Sequence, residues 1–203
     1  MDSPSADRHS LASYLPRMLL RRLASSAPLN QPEAASTQGA VLLSDIQGFT
    51  ALVERYSGAG RKGLEELTWV LNQYIADVAG AVQALGGDVL SIAGDAFLCH
   101  WPASSPDTVR DAVLRAAQAG ERIQHALQDR QRNQLPTRIG IGVGELVVGY
   151  AGGMEGRWEV VVSGDALSDV AIVEKAAIPG SVLISAKAWA VAASACEGRP
   201  GGA

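Results

Sequence analysis

The feature that most constrains this chain is a long helical periodicity set between short strand-like runs. From Gly63 to Leu85 the apolar residues Leu64, Leu67, Val70, Leu71, Tyr74, Ile75, Val78 and Val82 recur at intervals of three and four, which marks an amphipathic helix with one stripe to bury. Gly86-Gly87 end it. Before it, AVLLSDI (residues 40–46) is a short apolar run closed by an acid and reads as a buried strand. After it, DVLSIAGDAFLCHW (88–101) breaks at Ala93-Gly94 and reads as a hairpin, with Asp88 a turn residue. Pro106 to Arg132 is helical again, opened by Ser105 or Asp107. TRIGIGVGELVVGY (137–150) reads as a strand whose alternate glycines form a packing face. GRWEVVVSG (156–164) is a further strand, then Asp165 to Ala177 a helix capped by Asp165, SVLIS (181–185) a last strand, and a short helix through Trp189. The order β-α-β-β-α-β-β-α-β predicts an α+β fold with helices on one face of a mainly antiparallel sheet.

The ends read differently. Residues 1–38 divide into Ser-, Pro- and Ala-rich stretches around LASYLPRMLLRRLA (11–24), a short amphipathic helix expected to dock on this or a neighbouring domain. Its arginines follow and interrupt the apolar run, which argues against a signal peptide. The domain is expected over 39–192, with a flexible tail at 193–203. Seventeen Lys and Arg against 21 Asp and Glu give a net charge of −4, which argues against nucleic acid as a partner. Cys99 and Cys196 form neither a metal pattern nor a disulfide framework, and no apolar run reaches the length of a membrane span. A cytoplasmic protein is expected.

The candidate chemistry lies in two acids. Asp45 closes the first strand and Asp95 opens the second strand of the hairpin. If these strands are neighbours, both carboxylates leave the same edge of the sheet, and two acids without a basic partner repel. A hard divalent cation, Mg²⁺ or Mn²⁺, resolves that repulsion and can clamp a phosphate. Gly48 permits close backbone approach, and the amides of Phe49 and Thr50 open the following helix, an anion site. On spacing alone, two ordinary loop acids fit equally well. Other phosphate and metal patterns fail: GAGRKG (58–63) lacks P-loop spacing, GIGVG (140–144) sits inside a strand, and His9, His100 and His125 form no metal pair or triad.

The strings LLSDIQGFTALVERY, LNQYIADVAGAVQALGGDVLSIAGDAFLCHW, TRIGIGVGELVVG and VVVSGDALSDVAIVEKA follow one another as in class III nucleotidyl cyclases. The chain resembles most the first catalytic half of soluble, bicarbonate-responsive adenylyl cyclases and their bacterial relatives, over roughly 38–190. The resemblance implies a ferredoxin-like, βαββαβ-derived fold and conversion of ATP to 3′,5′-cyclic AMP and pyrophosphate with two Mg²⁺ (or Mn²⁺) ions. It assigns the metal to Asp45, Asp95 and the Ile46 carbonyl. It assigns the triphosphate to Asp45, Ile46, Gln47, Gly48, Phe49, Thr50, Asp95 and Arg138.

The departures from the family pattern matter as much. The transition-state asparagine and arginine of a complete site fall at Ser168 and Ile172, and the purine-selecting lysine at Ser91. The cations that hold bicarbonate fall at Ser91 and Ala171, and Val162 matches a pocket-lining position. The resemblance therefore implies the metal-binding half of an asymmetric pair, weak or inactive as a homodimer, without a bicarbonate response through this half. The complementary half would lie in the same longer chain or in another. A catalytically silent regulatory half is the alternative reading. A diguanylate cyclase fits less well, because Ala96 stands where its second adjacent acid would be.

Overall fold

A computed structural model describes residues 16–25, 29–129 and 135–199. Its elements, in chain order, are α1 (Arg17–Ala24), β1 (Glu33–Ile46), α2 (Phe49–Gly58), α3 (Gly60–Ala84), β2 (Asp88–Ala93), β3 (Ala96–Ala103), α4 (Pro106–Asp129), β4 (Thr137–Gly152), β5 (Trp158–Ser163), α5 (Asp165–Ala176), β6 (Val182–Ile184) and α6 (Ala186–Ala192). The strands form one sheet in the order β2-β3-β1-β4-β5, with β6 parallel to β4 and the other pairings antiparallel.

Strand pleating divides the molecule into two layers around this sheet. Ala40, Leu42, Phe97, Cys99, Trp101, Ile139 and Ile141 form a core with Val70, Tyr74, Val78 and Val82 of α3 and with Val113, Ala116 and Ile123 of α4. The intervening residues Val41, Leu98, Leu146 and Val148 face the other way, onto Leu19 of α1 and Ala166 and Val170 of α5. Helices thus cover both faces, where the sequence suggested one. The reason lies in β4. A Cβ on Gly140 would sit 2.6 Å from the Glu174 amide nitrogen, and one on Gly142 would sit 2.8 Å from that of Val170. The glycine face admits α5 directly onto the sheet.

Two boundaries also differ from the sequence reading. β1 starts at Glu33 rather than at residue 40, and its polar first half pairs with Gly144–Tyr150 of β4. An exposed strand paired along one edge can have the composition of a linker. The stretch before residue 63 is helical as well: α2 runs to Gly58, and α3 begins at Gly60.

The helix read at 11–24 is described from Arg17 onward, and its first residues lie outside the described residues. Asp88 does more than turn the chain: its two carboxylate oxygens each accept a backbone N–H of α1, from Arg17 and Met18, both at 2.9 Å. Arg22 clamps the other end of α1 to Glu33, Nη2 to Oε2 at 2.9 Å. Among the described residues, no helix is long and apolar enough to cross a membrane.

Candidate functional site

The site forms where β1 ends. Ile46 is buried in the α3–α4 core, so its neighbour Asp45 must face the opposite layer. Asp45 pairs in register with Arg138 of β4, and Arg138 Nη2 donates to Asp45 Oδ2 at 2.7 Å. Asp95, in the turn between β2 and β3, reaches across β1: its Oδ2 accepts the Ile46 amide at 3.0 Å. Burial pushes the Asp95 carboxyl above its ordinary value, and the neighbouring Asp45 charge adds to the rise. The structure therefore brings the two acids together, but not without a basic partner as the sequence reading had it: Arg138 already neutralises Asp45. Beneath the turn, the Tyr74 hydroxyl lies 3.2 Å from Ser44 Oγ and donates to the Asp95 carbonyl at 3.5 Å. Tyr74 also meets Phe97 edge-on, ring centroids 5.5 Å apart, so the turn rests on packed aromatics.

Gly48 adopts a left-handed conformation (φ 75°) that turns β1 into α2 and suits glycine. No side chain caps α2, and its first amides, beginning with Phe49 and Thr50, lack intrahelical acceptors. Gln47 is tied back by its amide to the Pro136 carbonyl at 2.8 Å. Gln47, Gly48 and Thr50 are exposed. The loop is an open anion-receiving edge beside two carboxylates.

One participant escaped the sequence reading. Glu174 of α5 is buried, and its Oε1 lies 3.0 Å from the same Arg138 Nη2 that contacts Asp45. Burial pushes the Glu174 carboxyl up, and the Arg138 charge partly opposes this. Glu174 sits seven residues past Leu167 in a short helix without any local motif. Its signal is tertiary: the missing side chain at Gly140 lets α5 lie against Arg138's strand.

The other residues singled out in the sequence lie apart from these charges or contribute none. Ser91 is exposed on β2 beside an irregularity in its pairing with β3. Val162 packs at the margin of the α1–α5 layer, and Ala171 is half-buried on α5. Ser168 is exposed, and Ile172 is 72% exposed on the same helix. Asp165 does not cap α5. It accepts the Glu145 amide at 2.7 Å, while Asp169 accepts that of Val143 at 3.2 Å. These amides lie on β4 between its pairings with β6 and β5, where no strand meets them. His100 is buried, His125 is exposed, and His9 lies outside the described residues.

The donor set suits a hard divalent ion. Two converging carboxylates and a nearby backbone carbonyl offer oxygen ligands and leave open positions for phosphate or water. Among the described residues, no cluster of three or more His, Cys, Asp or Glu side chains offers a closed metal cage.

Comparison with known proteins identifies the family and the fold. Residues 33–198 match the family model of the adenylate and guanylate cyclase catalytic domain. Mouse adenylate cyclase type 10 is 27% identical over 183 residues, covering 88% of this chain and 11% of that protein. The chain thus spans about a tenth of the length of the adenylate cyclase type 10 relatives it matches. Among solved structures, the guanylyl cyclase Cya2 aligns with TM-score 0.64 and 29% identity, covering 80% of each chain. The adenylyl cyclase CyaB from P. aeruginosa shares the fold, with TM-score 0.65 at 23% identity, over 80% of this chain and 84% of that one. With residues 33–198 covered by that family model, this chain belongs to the adenylate/guanylate cyclase catalytic domain family.

Proposed function

We propose that this chain is the metal-binding half of an adenylate cyclase, converting ATP to 3′,5′-cyclic AMP and pyrophosphate together with a complementary half. The observation that carries the reading is the convergence of Asp45 and Asp95 beside the uncapped start of α2. In the reaction, the ribose 3′-oxygen bonds to the α-phosphorus and the bond to pyrophosphate breaks. Two Mg²⁺ or Mn²⁺ ions, when bound, supply charge neutralisation and acidify the attacking hydroxyl. Asp45, Asp95 and the Ile46 carbonyl would hold them. The amides from Gly48 to Thr50 receive phosphate oxygens, the Gln47 amide being held by the Pro136 carbonyl, and Arg138, its Nη2 between Asp45 and Glu174, adds positive charge on the β4 side of the triphosphate. The chain's contribution is position and charge.

What this half lacks defines its partner. Ser168 and Ile172 offer no cation to a developing phosphate charge, and both are exposed. Loss of such an arginine costs on the order of 10³-fold or more in related phosphoryl transfers. A partner supplying an asparagine and an arginine would complete the site. Ser91 and Ala171 offer no charge to bicarbonate, so this half gives no bicarbonate response.

The test assays the chain alone and then mixed with candidate second halves, with ATP or GTP and Mg²⁺ or Mn²⁺. Cyclic AMP from the mixture only, lost in Asp45→Asn, is the expected result. Appreciable turnover by the isolated chain overturns the half-site reading. The exposed Ile172 at the arginine position favours one second reading, a silent regulatory half. Metal-dependent nucleotide binding without turnover in any mixture would select it.

A further inference from the structure

We infer that Glu174 is a positioning residue that shares Arg138 with Asp45, so that Arg138 serves as an internal counter-ion which an incoming divalent cation displaces from Asp45 towards Glu174. The inference rests on Asp45 being a metal ligand. One guanidinium nitrogen, Nη2, stands 2.7 Å from Asp45 Oδ2 and 3.0 Å from Glu174 Oε1. The two acids hold it unequally. The Asp45 contact is a directed hydrogen bond, whereas Glu174 Oε1 and Arg138 Nε are both buried without a hydrogen-bond partner. The guanidinium therefore has unused donor capacity on its own side and unused acceptor capacity on Glu174's. Rotation towards Glu174 would satisfy both.

Glu174 is the fixed member of the trio. Its side chain is 8% exposed against 28% for Asp45. Its backbone occupies the space left by Gly140, with the amide nitrogen and Cα within 2.6 and 2.8 Å of where a Cβ would stand. One turn earlier, Asp169 pins α5 by accepting both the Val143 amide and, at 2.6 Å, the Ser185 hydroxyl. A carboxylate held there needs a counter-ion whether or not Asp45 does. When ionised, Asp45, Asp95 and Glu174 around one guanidinium leave two negative charges, which one divalent cation balances. With Glu174 present, Arg138 can yield Asp45 to that cation and keep a partner. Without its charge, Arg138 has Asp45 alone and competes with the metal.

The experiment measures Mn²⁺ binding to the whole chain, without nucleotide, by the electron paramagnetic resonance signal of free Mn²⁺. Thermal melts run in parallel. Glu174→Gln is expected to weaken Mn²⁺ binding roughly tenfold. In an Arg138→Met background, which binds Mn²⁺ more tightly, adding Glu174→Gln should change affinity less than twofold, because Glu174 acts through Arg138. The double variant also removes the orphaned buried carboxylate, so it guards against misfolding of Arg138→Met. An unchanged affinity in Glu174→Gln, or the same loss with and without Arg138, overturns the inference. Asp45→Asn separates this failure from that of the function: Mn²⁺ binding that survives Asp45→Asn defeats the metal assignment itself.

Discussion

Asp88 and Asp95 stand at opposite ends of one hairpin and have opposite situations. Asp88 spends both carboxylate oxygens on backbone amides of α1, and its charge meets the positive end of a helix. Asp95 also accepts backbone amides, that of Ile46 and its own, but burial and then the like charge of Asp45 push its carboxyl upward. The difference lies in burial and in the neighbouring charge. An acid set against a helix N-terminus is structural cement, whereas one buried beside another acid is poised for a cation. The same contrast runs through α5, where Asp165 and Asp169 close the open amides of β4 while Glu174 is left to share one arginine.

The largest effect expected from breaking this contrast is at Asp95. Asp95→Asn keeps an oxygen for the Ile46 amide but removes the charge, so cyclase activity of the completed pair should fall by on the order of 10³-fold. The metal-free melting temperature should hold or rise, because a raised carboxyl pKa means that ionisation at neutral pH costs stability. An equal fall in activity and stability would erase the distinction from Asp88.

A second effect sharpens the structural end. Across the ladder from Asp88, burial lowers His100 to about 4, with Asp88 partly opposing the shift. The unfolded chain takes this proton first, near its ordinary 6.5. Stability should therefore be lost as pH falls from about 6.5 towards 4 and level off below, by up to about 3 kcal/mol. Urea titrations across that range should show the slope, and His100→Phe should flatten it. The smallest effect is at the cap: Asp88→Ala should cost about 1 kcal/mol and speed hydrogen exchange in α1, while leaving Mn²⁺ affinity unchanged.

What was legible in the sequence follows from how local each signal is. A strand ending in an acid and a hairpin with an acid at its turn marked Asp45 and Asp95 as candidates, but their approach also needed β1 to pair with β3, which spacing alone left open. The α3 stripe needed only its own periodicity for Leu67, Val70, Tyr74, Val78 and Val82, whereas Leu64 and Ile75, read as part of it, are exposed; the alternate glycines of β4 correctly marked a packing face. Glu174 carries no such mark, because its place depends on α5 lying on Gly140. Asp88's partners are 70 and 71 residues away in the chain, beyond any local pattern. The first half of β1 hid for another reason: paired but exposed backbone needs no apolar side chains, so Glu33–Gln38 looked like a linker.

The pairing of β1 with β4 also has a consequence in time. Asp45 and Arg138 are 93 residues apart, and translation adds roughly 5–20 residues each second. β1 gains β3 on one edge early, but its other edge waits roughly 5 to 20 s for β4. Through that interval a nascent chain carries an apolar strand with both edges and then one edge unpaired, a configuration inviting to misassembly or to a chaperone. The two acids meet each other before they meet their arginine. The charge balance of the site is therefore among the last things this domain acquires as it is made.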